Sequence, residues 1–377
     1  MKKNIRLVLL LLAVAFLCLL GINYYNSNRP LDRATEGKID RLMADSMQKY
    51  HAPGMIVGIW VPGRGKYVRA AGVADIGTGR AMRITDSYRI GSLTKTFTAT
   101  LALQLIDEGK LGLEDTLDKY VASVPNAKNI TIRQLLNMTS GLHSYTEVEW
   151  VEEAFLKDRF RGWTSEKLVA AAVAAGPDFS PGKGFHYSNT NYVLLGMIVE
   201  KLTGQKLADA YKSRIIDRLG LKNTFYPKDN KLYGEYCRGY MFDNGKWEDW
   251  TEQNVSWGWA AGGLISDLSD VKRYIKALND GSLLGQKLQR ERETSWVEMS
   301  HSAKSIMTTL RYGLGVFKAG GFVGHNGALP GYVNLAVYDP ASGATIAFML
   351  NAQPAQGDAT LQIFKSAYEI LFPEVKI

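Results

Sequence analysis

The order of apolar and polar positions divides the chain into three regimes. The first is an uncharged apolar run from Leu7 to Ile22, preceded by Lys2, Lys3 and Arg6. A basic start followed by such a run reads as an export segment, so the folded part is expected outside the cytoplasm. The run has 16 residues, short of the roughly 20 that span a bilayer as a helix. Against cleavage, no small-x-small site closes it, and Tyr24 and Tyr25 suit a membrane interface. Residues 1–29 therefore read as a signal peptide or an N-terminal membrane anchor. Cys18 lacks a lipoprotein-like approach, which counts against a lipid anchor.

Beyond it the spacing switches between helical and strand periods. Leu31, Ile39, Leu42, Met43 and Met47 predict a surface helix over 32–51. Met55–Pro62 and Lys66–Val73 predict two strands joined by a Gly-Arg-Gly turn. Ser92–Gly109 reads as one apolar helix, with Ser92 near its start and Gly109 as its C-terminal cap. From Leu113 to about Asn254 the pattern is helical or looped, clearest at Thr131–Asn137, Ser165–Ala175, Tyr192–Leu202 and Leu207–Arg218. Strand signals return at Arg311–Phe317, Phe322–His325, Tyr332–Tyr338 and Ala344–Leu350, before a helix from Thr360 to Leu371. Strands from both ends of the chain argue for an α+β fold, an antiparallel sheet flanked by helices. Residues 30–112 and 255–377 make this sheet lobe. Residues 113–254 form an inserted all-helical lobe, with a cleft between the two.

Composition sharpens the picture in three places. With 377 residues, 46% of them apolar, the chain can bury a large core. The formal charge is +8, but residues 1–30 hold four bases and no acid, leaving +4 for the rest. That surplus suits an anionic cell-wall or lipid surface and excludes a nucleic-acid-binding signature. Of two cysteines, Cys18 lies in the export segment, so Cys237 has no disulfide partner in the folded part.

The candidate chemistry begins with Ser-x-x-Lys, which on a helix puts a lysine nitrogen within reach of a serine hydroxyl. The chain has four matches: Ser46/Lys49, Ser92/Lys95, Ser180/Lys183 and Ser269/Lys272. Ser46 lies mid-helix on a surface element, Ser180 precedes Pro181 in a loop, and Ser269 reads as a helix cap. Only Ser92 follows a strand and opens an apolar helix. There is no Gly-x-Ser-x-Gly elbow, His-Glu-x-x-His helix, Cys-x-x-Cys or phosphate-binding loop. No metal or organic cofactor is implied.

Ser92-Leu-Thr-Lys95, Tyr187-Ser-Asn189 and His325-Asn-Gly327 resemble the three ordered motifs of the penicillin-recognising serine hydrolases. That group holds class C β-lactamases, D-alanyl-D-alanine carboxypeptidases and related esterases, with a β-lactamase/transpeptidase-like fold. Flanking text is similar too, at 130–142, 187–196, 260–266 and 324–332, and the likeness spans roughly residues 35–372. It implies an acyl-enzyme at Ser92, with Lys95 or Tyr187 as general base; which of the two stays open. Asn189 would hydrogen-bond Lys95 and the substrate's amide carbonyl. The backbone N–H groups of Ser92 and Ala328 would form an oxyanion hole. Residues 326–333 would accept an extended peptide by strand addition, Gly327 allowing close approach. His325 replaces the lysine of many relatives and would give support that depends on pH near neutrality. Asn326 departs from the hydroxyl residue that often helps hold a substrate carboxylate.

Other residues read more plainly. His51, His143, His186 and His301 lack metal-ligand spacing and are expected to be structural or exposed. Trp257 and Trp259 suit packing over substrate contact, while Ser140 and Tyr145 are further cleft candidates. The expected substrates are D-alanyl peptides of cell-wall origin, then small esters or amides, then β-lactams. A catalytically silent sensor or scaffold is the non-enzyme alternative, and no nucleic acid is expected as a partner.

Overall fold

The computed structural model describes residues 29–299, 307, 309–353 and 359–374. The expected export segment and His301 lie outside these residues. Among the described residues no helix is long and apolar enough to cross a membrane.

The N-terminal part contributes helix α1 (Arg33–Lys49), strands β1 (Gly54–Val61), β2 (Gly65–Asp75), β3 (Arg80–Ala81) and β4 (Tyr88–Arg89), and helix α2 (Thr94–Asp107). The middle carries α3 (Ile132–Leu136), α4 (Glu149–Lys157), α5 (Ser165–Ala175), α6 (Asn189–Thr203) and α7 (Leu207–Tyr211), then β5 (Tyr240–Asp243) and β6 (Lys246–Asp249). Next come α8 (Trp259–Gly262), β7 (Ile265–Ser266), α9 (Leu268–Asn279), α10 (Gln286–Thr294) and β8 (Val297–Glu298). The remainder is β9 (Arg311–Tyr312), β10 (Phe317–Ala319), β11 (Phe322–Leu329), β12 (Tyr332–Tyr338), β13 (Thr345–Leu350), β14 (Ala352–Gln353) and α11 (Ala359–Leu371).

Local chemistry sets the ends of these elements. The Asp32 carboxylate accepts the Thr35 N–H at 2.9 Å and starts α1. Thr131 and Gln134 close a capping box on α3. Gly109, at φ +69°, takes the left-handed conformation just past α2.

Nine strands form one sheet in the order β3-β2-β1-β13-β12-β11-β10-β9-β8, all its pairs antiparallel. The two ends of the chain meet where β1 pairs β13, with Val57 opposite Phe348. Strands β1, β12 and β13 are buried at nearly every position, so both faces of the sheet are covered. On one face α1 and α11 pack together, Phe322 of β11 meeting Phe364 and Tyr368 of α11. On the other lies α9, with the Tyr274 ring stacked 3.6 Å from Phe97 of α2. Each large aliphatic side chain buried here contributes roughly 1.5–3 kcal/mol. The α+β sheet architecture read from the sequence is therefore present.

Three details differ from expectation. The middle region is not wholly helical, because β5 and β6 form a hairpin and β14 joins β5 in parallel. Its turn is Asn244-Gly245, both at positive φ, which is the favoured two-residue hairpin chemistry. The strand expected over Arg311–Phe317 breaks into β9 and β10. Between them the chain leaves the sheet to reach α2, and a Cβ at Gly315 would lie 2.2 Å from that of Ala99. Finally, Ser269 is not the helix cap; the Asp267 carboxylate takes that place on α9, accepting the Asp270 N–H at 2.8 Å.

Candidate active site

A 3₁₀ turn, Gly91–Leu93, separates β4 from α2, so Ser92 sits ahead of the helix rather than within it. Gly91 has φ +50°, and a Cβ there would lie 2.8 Å from the Ala328 nitrogen. The turn thus lies flush against β11. Lys95, one turn on and fully buried, reaches Ser92 Oγ at 3.0 Å, Asn189 Oδ1 at 2.6 Å and the Ala261 carbonyl at 2.9 Å. Its nitrogen lies 4.9 Å from the centre of the Tyr187 ring.

Burial holds the Lys95 ammonium well below its ordinary pKa. The contacts fit that shift. Asn189 Oδ1 and the Ala261 carbonyl can only accept, so they engage two N–H bonds. A lysine that has lost one proton keeps both donors and turns its lone pair towards Ser92. This geometry allows the serine hydroxyl to give its proton directly to Lys95.

Asn189 opens α6 and is held from three sides. Its Oδ1 accepts from Lys95, its Nδ2 donates to Thr146 Oγ1 at 2.9 Å, and its backbone N–H donates to Ser144 Oγ at 3.2 Å. Sequence reasoning missed Ser144 and Thr146. The neighbours expected at the cleft, Ser140 and Tyr145, are buried and spend their hydroxyls on Asn191 and the Trp257 carbonyl. A short 3₁₀ turn, Tyr145–Glu147, brings the Ser144 and Thr146 hydroxyls to Asn189 instead.

The Ala261 carbonyl is also invisible in the sequence. It comes from α8, whose first residue, Trp259, has φ +35°. The same turn gives the Ala260 carbonyl to Thr98 Oγ1 at 2.6 Å. Trp257 stacks on Phe155 at 4.4 Å, in keeping with packing. A Cβ at Gly196 would come within 2.5 Å of the Ala260 Cβ, so a glycine seats the turn on α6.

Ser92 in the turn before α2, Tyr187 just before α6 and His325 on β11 thus line one cavity of about 410 Å³, and Lys95 and Asn189 stand behind Ser92. A sequence model described as Beta-lactamase matches residues 39–366. The chain belongs to this Beta-lactamase family of serine hydrolases. The resemblance read from its motifs is borne out. Among its relatives is penicillin-binding protein 4* of Bacillus subtilis, 28% identical over 331 residues, 81% of this chain and 69% of that protein. A D-stereospecific amidohydrolase from Streptomyces sp. superposes with a TM-score of 0.79 at 34% identity, covering 91% of this chain and 99% of that one. The D-amino acid amidase of Ochrobactrum anthropi SV3, complexed with L-phenylalanine amide, gives 0.78 at 26% identity over 90% and 97%.

In this Beta-lactamase family chain the third motif departs from expectation. His325 is buried, and burial together with the nearby Lys95 outweighs the Asn326 carbonyl contact, which alone would raise its pKa, and brings it down to about 3. It is therefore neutral through the physiological range and does not titrate near pH 7. Gly327 serves the fold: a Cβ there would lie 1.9 Å from the Ile90 carbonyl oxygen. Gly327→Ala is expected to lose about 2 kcal/mol of stability, a Tm drop of roughly 5 °C by calorimetry. Residues 332 and 333 lie in β12, between β11 and β13, so the expected substrate edge over 326–333 is not free along its length. Asn326 turns its Nδ2 to Thr360 Oγ1 at 2.9 Å.

The cavity walls are largely apolar: Phe185, Met299, Leu310, Phe317 and Leu361. At its rim His186 lies 3.2 Å from Glu147 and also meets Asp178. Burial lowers the His186 pKa, but the two carboxylates outweigh it and raise it overall. His186, expected to be structural or exposed, thus also lines the pocket. Glu147 carries no signal in the sequence.

Proposed function

We propose that the chain is an extracytoplasmic amidase or esterase that acylates Ser92 and prefers substrates with an apolar group and a free amine near the scissile carbonyl. The observation that carries the substrate class is the pocket lining. Among the described residues the cavity beside Ser92 is lined by one carboxylate, Glu147, and by no lysine or arginine. An ammonium finds a partner there, whereas the one candidate partner for a terminal carboxylate of a D-alanyl peptide or penicillin, His186, is already paired with Glu147 and Asp178. The likeness to a D-amino acid amidase and a D-stereospecific amidohydrolase favours the same reading. Export rests on the basic and apolar pattern of residues 2–22.

In this reading Lys95 takes the Ser92 proton as Oγ attacks the carbonyl carbon. The N–H groups of Ser92 and Ala328 receive the negative charge that forms on the carbonyl oxygen. Tyr187, beside Lys95, passes that proton to the departing amine or alcohol as the bond to carbon breaks. Water then attacks the ester of Ser92, gives its proton back through the same groups, and frees the acid. Asn189 holds Lys95 in line.

Comparison of D-phenylalanine amide, its N-acetyl derivative and D-alanyl-D-alanine tests the proposal. The amide is expected to be turned over best. Glu147→Gln should cut kcat/KM for the free-amine substrate roughly ten- to a hundredfold, the worth of a charge-assisted contact, and leave the acetylated one unchanged. Equal losses on both, or faster turnover of the dipeptide, would return the site to a carboxypeptidase.

A further inference from the structure

In the sequence Tyr312 is part of a strand and nothing more. It is the last residue of β9, its backbone paired to β8 through Val297 and to β10 through Phe317. Its side chain is 1% exposed. Its ring meets His325 edge-on at 5.7 Å and Tyr187 edge-on at 6.0 Å. Its hydroxyl lies 3.1 Å from His325 Nε2. On the far side of the imidazole, Nδ1 lies 2.5 Å from the Asn326 carbonyl oxygen.

These two contacts fix the protons. A carbonyl oxygen can only accept, so Nδ1 carries a hydrogen. A neutral imidazole has one N–H, so Nε2 is left with its lone pair, and the Tyr312 hydroxyl is the donor to it. The single basic nitrogen of the third motif is engaged by Tyr312 and unavailable to Ser92.

We propose that Tyr312 is a positioning residue for the acyl transfer, fixing the tautomer and orientation of His325 so that the serine proton goes to Lys95 and not to the imidazole. This rests on the acyl-enzyme reading above. A tyrosine that only filled space would tolerate loss of its hydroxyl, since phenylalanine keeps the ring. Here that loss strands a buried acceptor and frees the imidazole to turn or change tautomer, as happens when an outer hydrogen-bond partner of a reactive histidine is removed.

The test uses the whole chain labelled with ¹⁵N at its five histidines, with His325→Gln identifying the His325 signals. The wild type is expected to show a protonated Nδ1 and an unprotonated, hydrogen-bonded Nε2 at His325. In Tyr312→Phe the Nε2 signal should move to that of a free lone pair or of the other tautomer. In that variant kcat on the best amide substrate should fall roughly tenfold with KM within about twofold. Added to His325→Gln, the same substitution should cost little more, because Tyr312 acts through the imidazole. A wild-type His325 protonated at Nε2 overturns the proposal, and so does a Tyr312→Phe protein with unchanged nitrogen signals or unchanged kcat. The wild-type spectrum decides even where the variant does not fold. It also stands apart from turnover, so failure of the acyl-enzyme reading is told from failure of this one.

Discussion

Replacing Ser92 by alanine is expected to lower kcat by roughly 10⁴- to 10⁶-fold, because every step of the proposed reaction passes through its oxygen. The fold should persist: Ser92 is partly exposed and its backbone, not its hydroxyl, makes the turn against Ala328. Intact-mass analysis of the domain without residues 1–29, after exposure to a fluorophosphonate, should show one added phosphonyl group in the wild type and none in Ser92→Ala. The same measurement with a penicillin bears on substrate class. A pocket lined, among the described residues, by Glu147 and by no lysine or arginine predicts slow or absent labelling by the penicillin. Rapid penicillin labelling would favour the peptidase and β-lactamase side. A variant that keeps its turnover would remove Ser92 from the mechanism.

Lys95→Met has the second largest expected effect, and it splits activity from stability. Methionine keeps the length of the side chain but has no proton to take or give, so kcat should fall by roughly a thousandfold or more. Stability at neutral pH should not fall in step. Wild-type Lys95 is fully buried and held well below its ordinary pKa, so folding strips a proton that the unfolded chain would keep. The unfolded state then binds more protons between the lowered pKa and the ordinary value of 10.5. In that window wild-type stability rises with pH, by up to about 1.4 kcal/mol per pH unit. The variant lacks this contribution. Thermal melts of both proteins from pH 7 to 9.5 should show the wild type gaining on the variant as pH increases. Parallel melting curves would mean that Lys95 keeps its charge in the folded protein.

Much of this site is legible in the amino-acid sequence, and the misses have physical causes. Side chains whose chemistry depends on identity and local spacing stand out: Ser92 and Lys95 one turn apart, Tyr187 and Asn189 at the start of α6, His325 in a glycine-containing strand. Groups that act through the backbone or through tertiary contact do not. The Ala261 carbonyl is aimed by a turn at Trp259, and any residue supplies a carbonyl. Thr146 reaches the site through a 3₁₀ turn and Tyr312 through strand pairing, neither visible in local spacing. The state of His325 escapes the sequence for the same reason: an imidazole titrates near neutrality in water, and only the fold shows its burial beside Lys95. The β5–β6 hairpin is a different kind of miss. Its Asn244-Gly245 turn, with Tyr240, Phe242 and Trp247 around it, is a strong local signal. The surrounding helical stretches obscure it.

The seam between β1 and β13 bears on when the protein becomes whole. Strand β1 is made well before its partner β13, and before His325 and Ala328. Until β11 to β13 have been made, β1 lacks one neighbour and Ser92 faces no β11. A chain in that state has no assembled centre with which to hydrolyse anything. Its unpaired strand edges also give holding chaperones an unfolded substrate to grip.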